Sequence, residues 1–212
     1  MYKRNVKYFS RKKYENILHT LIQSMKNSKR AKHINSIFYG AEIEIINRYL
    51  QSPASSQYHD CYPGGLLVHS INVTLKMLND REWYPESVTP DKIIIVGLFH
   101  DIGKIGTRDE NFYLPTEGGT YFYNDKISRT LPHAARSLAT LQELKFKLED
   151  DEFQAILYHN GMYVSSGRDI SNHEYPLTLI LHHADMYVSH IFDRMEIQEK
   201  EKMRDKLTRK IL

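Results

Sequence analysis

Apolar residues recur at intervals of three and four along most of the chain, which is the spacing of an amphipathic helix. Between Tyr14 and Met25, apolar side chains at these intervals would share one helix face. The same spacing predicts further helices over residues 36–50, 66–78, 131–148, 151–159 and 177–209. The pattern therefore predicts an all-α protein, and the sequence contains no internal repeat.

The segment 91–100 is apolar on nearly every side, so its pattern fits either a buried strand or a buried helix. Charged residues directly after Pro90 are typical of a helix start. We therefore predict a central buried helix whose carboxyl end carries the adjacent pair His100 and Asp101.

Two short aromatic segments, residues 112–114 and 121–123, flank a turn-rich stretch that contains Gly118 and Gly119. This arrangement predicts a small β-hairpin flap. Its aromatic side chains either fix the flap to the domain or stack on a base or sugar of a ligand. The predicted architecture is an all-α helical bundle with one small β-hairpin.

Composition narrows the class of protein. The chain has 212 residues, of which 41% are hydrophobic, and this is enough for one sizeable core. No apolar run approaches the ~20 residues that cross a bilayer, and the N-terminus lacks a secretory signal, so we expect a cytoplasmic protein. Cys61 is the single cysteine, which excludes an internal disulfide and a cysteine-based zinc cluster. Any metal would therefore have nitrogen and oxygen ligands, for which the chain offers 11 histidines.

Positive charge is concentrated at the N-terminus. Residues 1–33 contain ten Lys and Arg against one Glu, a local charge of +9 in a chain whose total is +3. Such a segment either attracts a phosphate-rich polymer or an acidic partner, or it is a solvated basic helix face. We predict that residues 1–50 form a basic helical segment packed on the core, and that residues 51–212 form the main domain.

Four residues on three predicted helices could converge on one metal ion. His100 and Asp101 are adjacent at a helix end, His69 precedes them by 31 residues, and Asp185 lies on a late helix. Helices that face one another in a bundle can supply such ligands to an enclosed site. Mixed imidazole and carboxylate ligands suit Mn, Fe, Co, Ni or Zn, so the ligands alone do not select the metal.

Three motifs share an order and spacing with one superfamily: Gly64-Gly-Leu-Leu-Val-His69, His100-Asp-Ile-Gly-Lys104 and His182-His-Ala-Asp185. In this pattern the chain resembles the HD superfamily of metal-dependent phosphohydrolases. The resemblance implies an HD domain over residues 51–212. It also implies a divalent metal held by the first His, the His-Asp pair and the last Asp, which here are His69, His100, Asp101 and Asp185.

A narrower resemblance includes His59, His133 and His159, and it is to the HD domain of bacterial 3'-to-5' exoribonucleases that pair this domain with an OB fold. No OB-like stretch of strands is present here. In HD proteins with extra histidines, two further His hold a second metal that the Asp of the pair bridges. His133 and His159 stand at those positions, so the resemblance implies two divalent ions, with Mn favoured over Fe, Ni, Co, Zn and Mg. Asn160 replaces a His of some relatives, which argues against a third ion.

Two neighbouring cations lower the pKa of a bridging water and orient a phosphate, so Asp101 is expected to act both as a ligand and as a catalytic residue that orients this water. Lys104 follows within one turn and is predicted to engage phosphate oxygens of the substrate. Arg108 could bind the substrate in the same way. It could equally form a surface salt bridge with Asp109 or Glu110.

The predicted function is hydrolysis of a phosphoester of a nucleotide or short oligonucleotide, as a phosphodiesterase or nucleotidase, by a metal-activated water. Two alternatives stay open: a non-catalytic nucleotide-sensing HD module, and an HD-type di-iron oxygenase. The expected partner is a nucleotide or short nucleic-acid substrate and no membrane, with homo-oligomerisation left open. His182 and His183 are expected to pack around the site and not to bind metal.

Overall fold

The computed structural model describes residues 11–40, 43–161 and 164–211. Within them the helices are α1 (Arg11–Ser24), α2 (Ser28–Tyr39), α3 (Ile43–Gln51), α4 (Gly65–Asp80), α5 (Pro90–Phe99), α6 (Asp125–Ser128), α7 (His133–Glu143), α8 (Asp150–Tyr158), α9 (Pro176–His190) and α10 (Ile197–Ile211). Strands β1 (Tyr113–Pro115) and β2 (Tyr121–Tyr123) form one antiparallel pair. The predicted all-α bundle with a small hairpin is confirmed. No helix in these ranges has the length and apolar character of a membrane span.

Helix α5 is the centre of the core. It begins at Pro90, and the side chain of the preceding Thr89 caps it by accepting a hydrogen bond from the Lys92 amide. Its side chains from Ile93 onward are buried, as expected for a helix that is apolar all round. A Cβ at Gly97 would lie 2.4 Å from Thr74 Oγ1, so this glycine lets α5 approach α4 closely.

The N-terminal helices share the core of the later helices. Leu21 and Tyr49 are both buried, and the Tyr49 hydroxyl donates to the Leu98 carbonyl over 2.8 Å. Arg30 on α2 donates to both oxygens of Glu152 on α8, over 2.6 and 2.7 Å. Such a bidentate pair with a fully buried carboxylate fixes α2 against α8. The domain boundary after residue 50 stays a prediction.

One predicted helix is interrupted. Residues 36–50 do not form a single helix, because α2 ends at Tyr39 and α3 begins at Ile43. The Gly40 amide donates to the Ser36 carbonyl, and a Cβ at Gly40 would lie 2.4 Å from that oxygen. A glycine is therefore required for this helix end.

The last predicted helix is also divided, and another is shorter than expected. Residues 177–209 form α9 and α10, with the 3-10 helix Phe192–Arg194 between them and Phe192 buried. Helix α7 ends at Glu143 and not near residue 148, because Lys145 has a φ of 54° and turns the chain. This turn returns Phe146 to the core.

The flap has an inner and an outer set of aromatic side chains. Phe112 and Tyr113 are buried with Ile127 in a small cluster of their own, and they fix the flap to the domain. The Tyr121 amide donates to the carbonyl of Ser56, in the loop before α4, over 3.1 Å. Phe122 and Tyr123 are each 49% exposed, so for them stacking on a ligand stays a prediction.

Candidate metal centre

The turn after α5 brings the His-Asp pair against α7. A Cβ at Gly103 would lie 2.3 Å from the His133 carbonyl oxygen, so only glycine permits this approach. Ser137 Oγ donates to the His100 carbonyl over 2.7 Å and accepts from the Gly103 amide over 2.9 Å. Both bonds are buried and fasten His100 to the helix that begins with His133. Sequence reasoning missed Ser137, because a lone serine in a helix carries no pattern.

The first ligand cluster combines α4, the end of α5 and α9. His69 Nε2 lies 3.3 Å from His100 Nε2 and 3.2 Å from Asp185 Oδ1. Asp101 Oδ2 is 3.6 Å from His69 Nε2 and 3.5 Å from His100 Nε2. Ligands about 2.0–2.3 Å from a cation are separated from one another by roughly 3–3.5 Å. The four side chains predicted for one metal therefore lie at distances that suit a single cation.

The second cluster lies on the other side of Asp101. His133 begins α7 and His159 follows α8, and their Nε2 atoms are 3.3 Å apart. Asp101 Oδ1 lies 3.5 Å from His133 Nε2 and 3.6 Å from His159 Nε2. Each oxygen of the Asp101 carboxylate thus faces a different pair of imidazoles.

Backbone carbonyls orient two of the imidazoles. His100 Nδ1 donates to the Gly97 carbonyl over 3.0 Å, and His159 Nδ1 donates to the Ile156 carbonyl over 2.8 Å. These bonds place the proton on Nδ1 and leave the Nε2 lone pair facing the cluster. His182 Nδ1 donates to the His159 carbonyl over 2.7 Å, so His182 helps to hold the backbone of His159 in position.

Electrostatics keep two of the histidines neutral. Burial lowers the pKa of His100 to about 4 and that of His133 to about 3, and the charge of Asp101 offsets this only in part. At neutral pH both rings are therefore uncharged. An uncharged imidazole is the form that binds a metal ion.

The carboxylates stay ionised. Burial favours protonation of Asp101, but the Lys104 ammonium and the His100 ring outweigh it, so its pKa lies well below the usual range. Burial also opposes ionisation of Asp185, yet the contact with His69 and the nearby histidines lower its pKa strongly. Asp101 Oδ1 is fully buried and has no hydrogen-bond donor in the described part of the chain. A buried anionic oxygen without a donor beside two imidazole rings is a chemical environment that fits a divalent cation.

Lys104 and Arg108, the two predicted substrate contacts, lie in different environments. Lys104 Nζ is 2.6 Å from Asp101 Oδ2 and therefore directly beside the clusters. Arg108 is exposed and lines a separate cavity of about 310 Å³ with Arg136 and Thr140. None of the six predicted ligands lines that cavity, and substrate binding by Arg108 stays a prediction.

Two further side chains border the centre. The His59 ring centroid is 4.7 Å from that of His69, and His59 Nδ1 is buried with no hydrogen-bond partner among the described residues. Burial, then the neighbouring Tyr123 and the charge of Asp101, raise the pKa of the Tyr113 phenol.

Comparison with known proteins agrees with this geometry. Residues 66–211 match the HD domain family. The chain is also 32% identical over 194 residues to the dihydroneopterin 2',3'-cyclic phosphate phosphodiesterase of Methanocaldococcus jannaschii, an alignment that covers 90% of this chain and 70% of that protein. No solved structure matches the chain significantly. The chain belongs to the HD domain family of metal-dependent phosphohydrolases, as the motifs predict.

Proposed function

We propose that the protein is a phosphodiesterase that uses two divalent cations to direct water at a small, nucleotide-like phosphodiester. The observation that carries this proposal is the position of Asp101, whose two oxygens face two separate histidine pairs at 3.5–3.6 Å. A carboxylate in this position can bridge two cations, as two-metal hydrolysis requires.

The proposed ligands follow from the two clusters. His69, His100 and Asp185 would hold one cation together with Asp101 Oδ2, and Asp101 Oδ1, His133 and His159 would hold the other. When bound, the cations supply Lewis acidity and a water of lowered pKa. Mn is the first metal to test, followed by Fe, Ni, Co, Zn and Mg, because nitrogen and oxygen ligands accommodate all of them.

The remaining chemistry belongs to the side chains around the cations. Asp101 orients the attacking water through its carboxylate. Lys104 contacts Asp101 in the structure and carries a flexible ammonium that can turn to a non-bridging phosphate oxygen. Phe122 and Tyr123 on the flap offer half-exposed rings for the base or heterocycle of the substrate.

The substrate class comes from two lines of reasoning. The Methanocaldococcus jannaschii relative is named for a pterin 2',3'-cyclic phosphate, which makes cyclic phosphodiesters of pterins or nucleosides the first class to test. The resemblance to exoribonuclease HD domains makes short oligonucleotides the second class. Fold alone does not select between them.

The test is hydrolysis by metal-free protein reconstituted with each cation. We expect Mn-loaded protein to open a 2',3'-cyclic nucleotide to a phosphomonoester, with Asp101→Asn strongly impaired and Asp151→Asn fully active. Asp151 is a suitable control because its carboxylate pairs with Lys92 over 2.7 Å, outside the clusters. Binding of nucleotides without hydrolysis under any of the six metals would instead favour a sensor, and metal-dependent oxygen consumption would favour an oxygenase.

A further inference from the structure

A second cavity lies between α4, α9 and α10. Its volume is about 360 Å³, which is within the range of small-molecule sites. None of the six predicted metal ligands lines it. Apolar side chains from all three helices contribute to its wall, among them Leu75, Val188 and Met203.

The charged residues that line this cavity are all basic. They are Lys76, Arg204, Lys206 and Lys210, and no Asp or Glu lines the cavity among the described residues. Lys76 pairs with Asp80, and Arg204 Nη2 lies 3.6 Å from Glu201. Even with these pairs, the lining carries a surplus of positive charge that suits an anion.

Two buried polar atoms of the lining are unsatisfied. Arg204 is 6% exposed and Asn72 is 7% exposed. Arg204 Nε and Asn72 Oδ1 have no hydrogen-bond partner among the described residues. Native proteins rarely leave such buried atoms unpaired. The Asn72 side chain also lies beside the Tyr14 hydroxyl, so Arg204 Nε is the atom that indicates a missing partner. An anionic oxygen would satisfy the Arg204 Nε–H, and charge-assisted bonds of this kind are strong.

The Arg204 guanidinium is held in place for this contact. Its Nη1 donates to the Tyr14 hydroxyl, and its Cζ lies 4.9 Å from the centroid of the Tyr14 ring. A guanidinium fixed on an aromatic ring loses little further entropy when an anion binds.

We propose that this cavity is a binding site for an amphipathic organic anion, distinct from the metal centre. Its apolar chain or ring would contact Leu75, Val188 and Met203, and its carboxylate or phosphate would lie beside Arg204 and Lys206. Asn72 and Val188 each lie one helical turn beyond a predicted metal ligand, on α4 and α9 respectively. The ligand would therefore contact two of the helices that position the metal centre.

Calorimetric titration of the metal-loaded protein tests the site, with octanoate and octyl phosphate as probes. We expect saturable binding of at least one probe at one site per chain. Octan-1-ol lacks the charge and acetate lacks the apolar chain, so each should bind at least about tenfold more weakly. The absence of saturable binding by both probes, or equal binding of acetate, would overturn the proposal.

Charge reversal provides the second arm of the test. Lys206→Glu combined with Lys210→Glu changes two exposed lining residues and should weaken probe binding by at least about tenfold. Lys202→Glu is the matched control, because Lys202 is exposed on the same helix but does not line the cavity. Circular dichroism verifies that both variants are folded. Equal loss of affinity in the control, or no loss in the double variant, would show that the probe binds elsewhere.

Discussion

The two histidine clusters differ in how the fold supports them. His69 lies on α4 and His100 directly follows α5, the central helices, and both are fully buried. His133 and His159 lie at the ends of α7 and α8, and the His133 side chain is 26% exposed. Each cluster nevertheless has one side chain that solvent can reach, because Asp185 in the first is 20% exposed, whereas His159 in the second is only 1% exposed. The two oxygens of Asp101 each face a different pair of imidazoles, so changes at Asp101 should affect both clusters, whereas changes at the histidines should separate their roles.

The largest effect is expected for Asp101→Asn. Asparagine keeps the shape of the side chain but removes the charge that the two proposed cations would share, so metal binding should weaken and the pKa of the water should rise. Turnover should fall by about 100-fold or more, which corresponds to about 2.7 kcal/mol of barrier. Steady-state hydrolysis of a cyclic nucleotide measures this, with Asp151→Asn as control. A folded Asp101→Asn protein with near-normal turnover would refute the mechanism.

Substitution of His133 should affect only the second cluster. His133→Ala removes one proposed ligand of the second cation, so we expect the bound metal to fall from two ions to one per chain and turnover to fall at least about tenfold, or about 1.4 kcal/mol of barrier. His69→Ala should instead reduce the occupancy of the first site. Elemental analysis after gel filtration measures the metal content. Retention of two ions by both variants would contradict the assignment of ligands to separate clusters.

The metal-free protein should lose stability as the pH falls from about 6.5 to about 4. The pKa values of His100 and His133 are lowered to about 4 and about 3, so in this range the unfolded chain binds more protons than the folded protein. Stability therefore rises with pH across this window, by about 1–3 kcal/mol in total after allowance for the exposure of His133. The adjacent Asp101 outweighs burial and raises the pKa of His159. Protonation of His159 therefore opposes the rise of stability with pH only above the usual pKa of a histidine.

Urea denaturation between pH 4 and 7 measures this dependence. His100→Gln should flatten the curve, whereas His19→Gln should leave it unchanged because His19 is exposed. If stability depends equally steeply on pH in His100→Gln, His100 is excluded as a source of the pH dependence.

A smaller effect is expected at the contact that connects the clusters. Ser137→Ala removes the buried bonds to the His100 carbonyl and from the Gly103 amide, and it should lower the free energy of unfolding by about 1–2 kcal/mol. Ser36→Ala is the control, because the Ser36 hydroxyl is exposed. Thermal denaturation measures both. Equal stability of the two variants would show that Ser137 does not fasten the turn.

Some features of the fold follow directly from the sequence, and others depend on tertiary contacts. The apolar pattern predicts α1, α4, α5 and α8 within a few residues, because each buries a continuous face. It does not predict the break after Tyr39, since an isolated Gly within a helical pattern is compatible with a continuous helix. It also misses the end of α9, because Phe192 continues the apolar spacing while the backbone leaves the α-helix.

The candidate metal centre also combines features that follow from the sequence with features that depend on tertiary contacts. The motifs predict six ligand side chains, and the structure places them in two neighbouring groups, His69 with His100 and Asp185, and Asp101 with His133 and His159. They do not identify Ser137 or the hydrogen bond from His182, because each is a contact between residues far apart in sequence that no local pattern records. The two oxygens of Asp101 and their separate partners are likewise visible only in three dimensions.

The most direct test of the proposal that two cations share Asp101 is the magnetic state of the Mn-loaded protein. Two Mn ions that share the Asp101 carboxylate should be spin-coupled, so electron paramagnetic resonance should show a coupled pair with two ions per chain. Asp101→Asn should convert this signal to that of isolated ions or remove it, while Asp151→Asn should leave it intact. A single uncoupled Mn ion per chain at saturating metal, in a protein that still hydrolyses phosphodiesters, would contradict the shared role of Asp101.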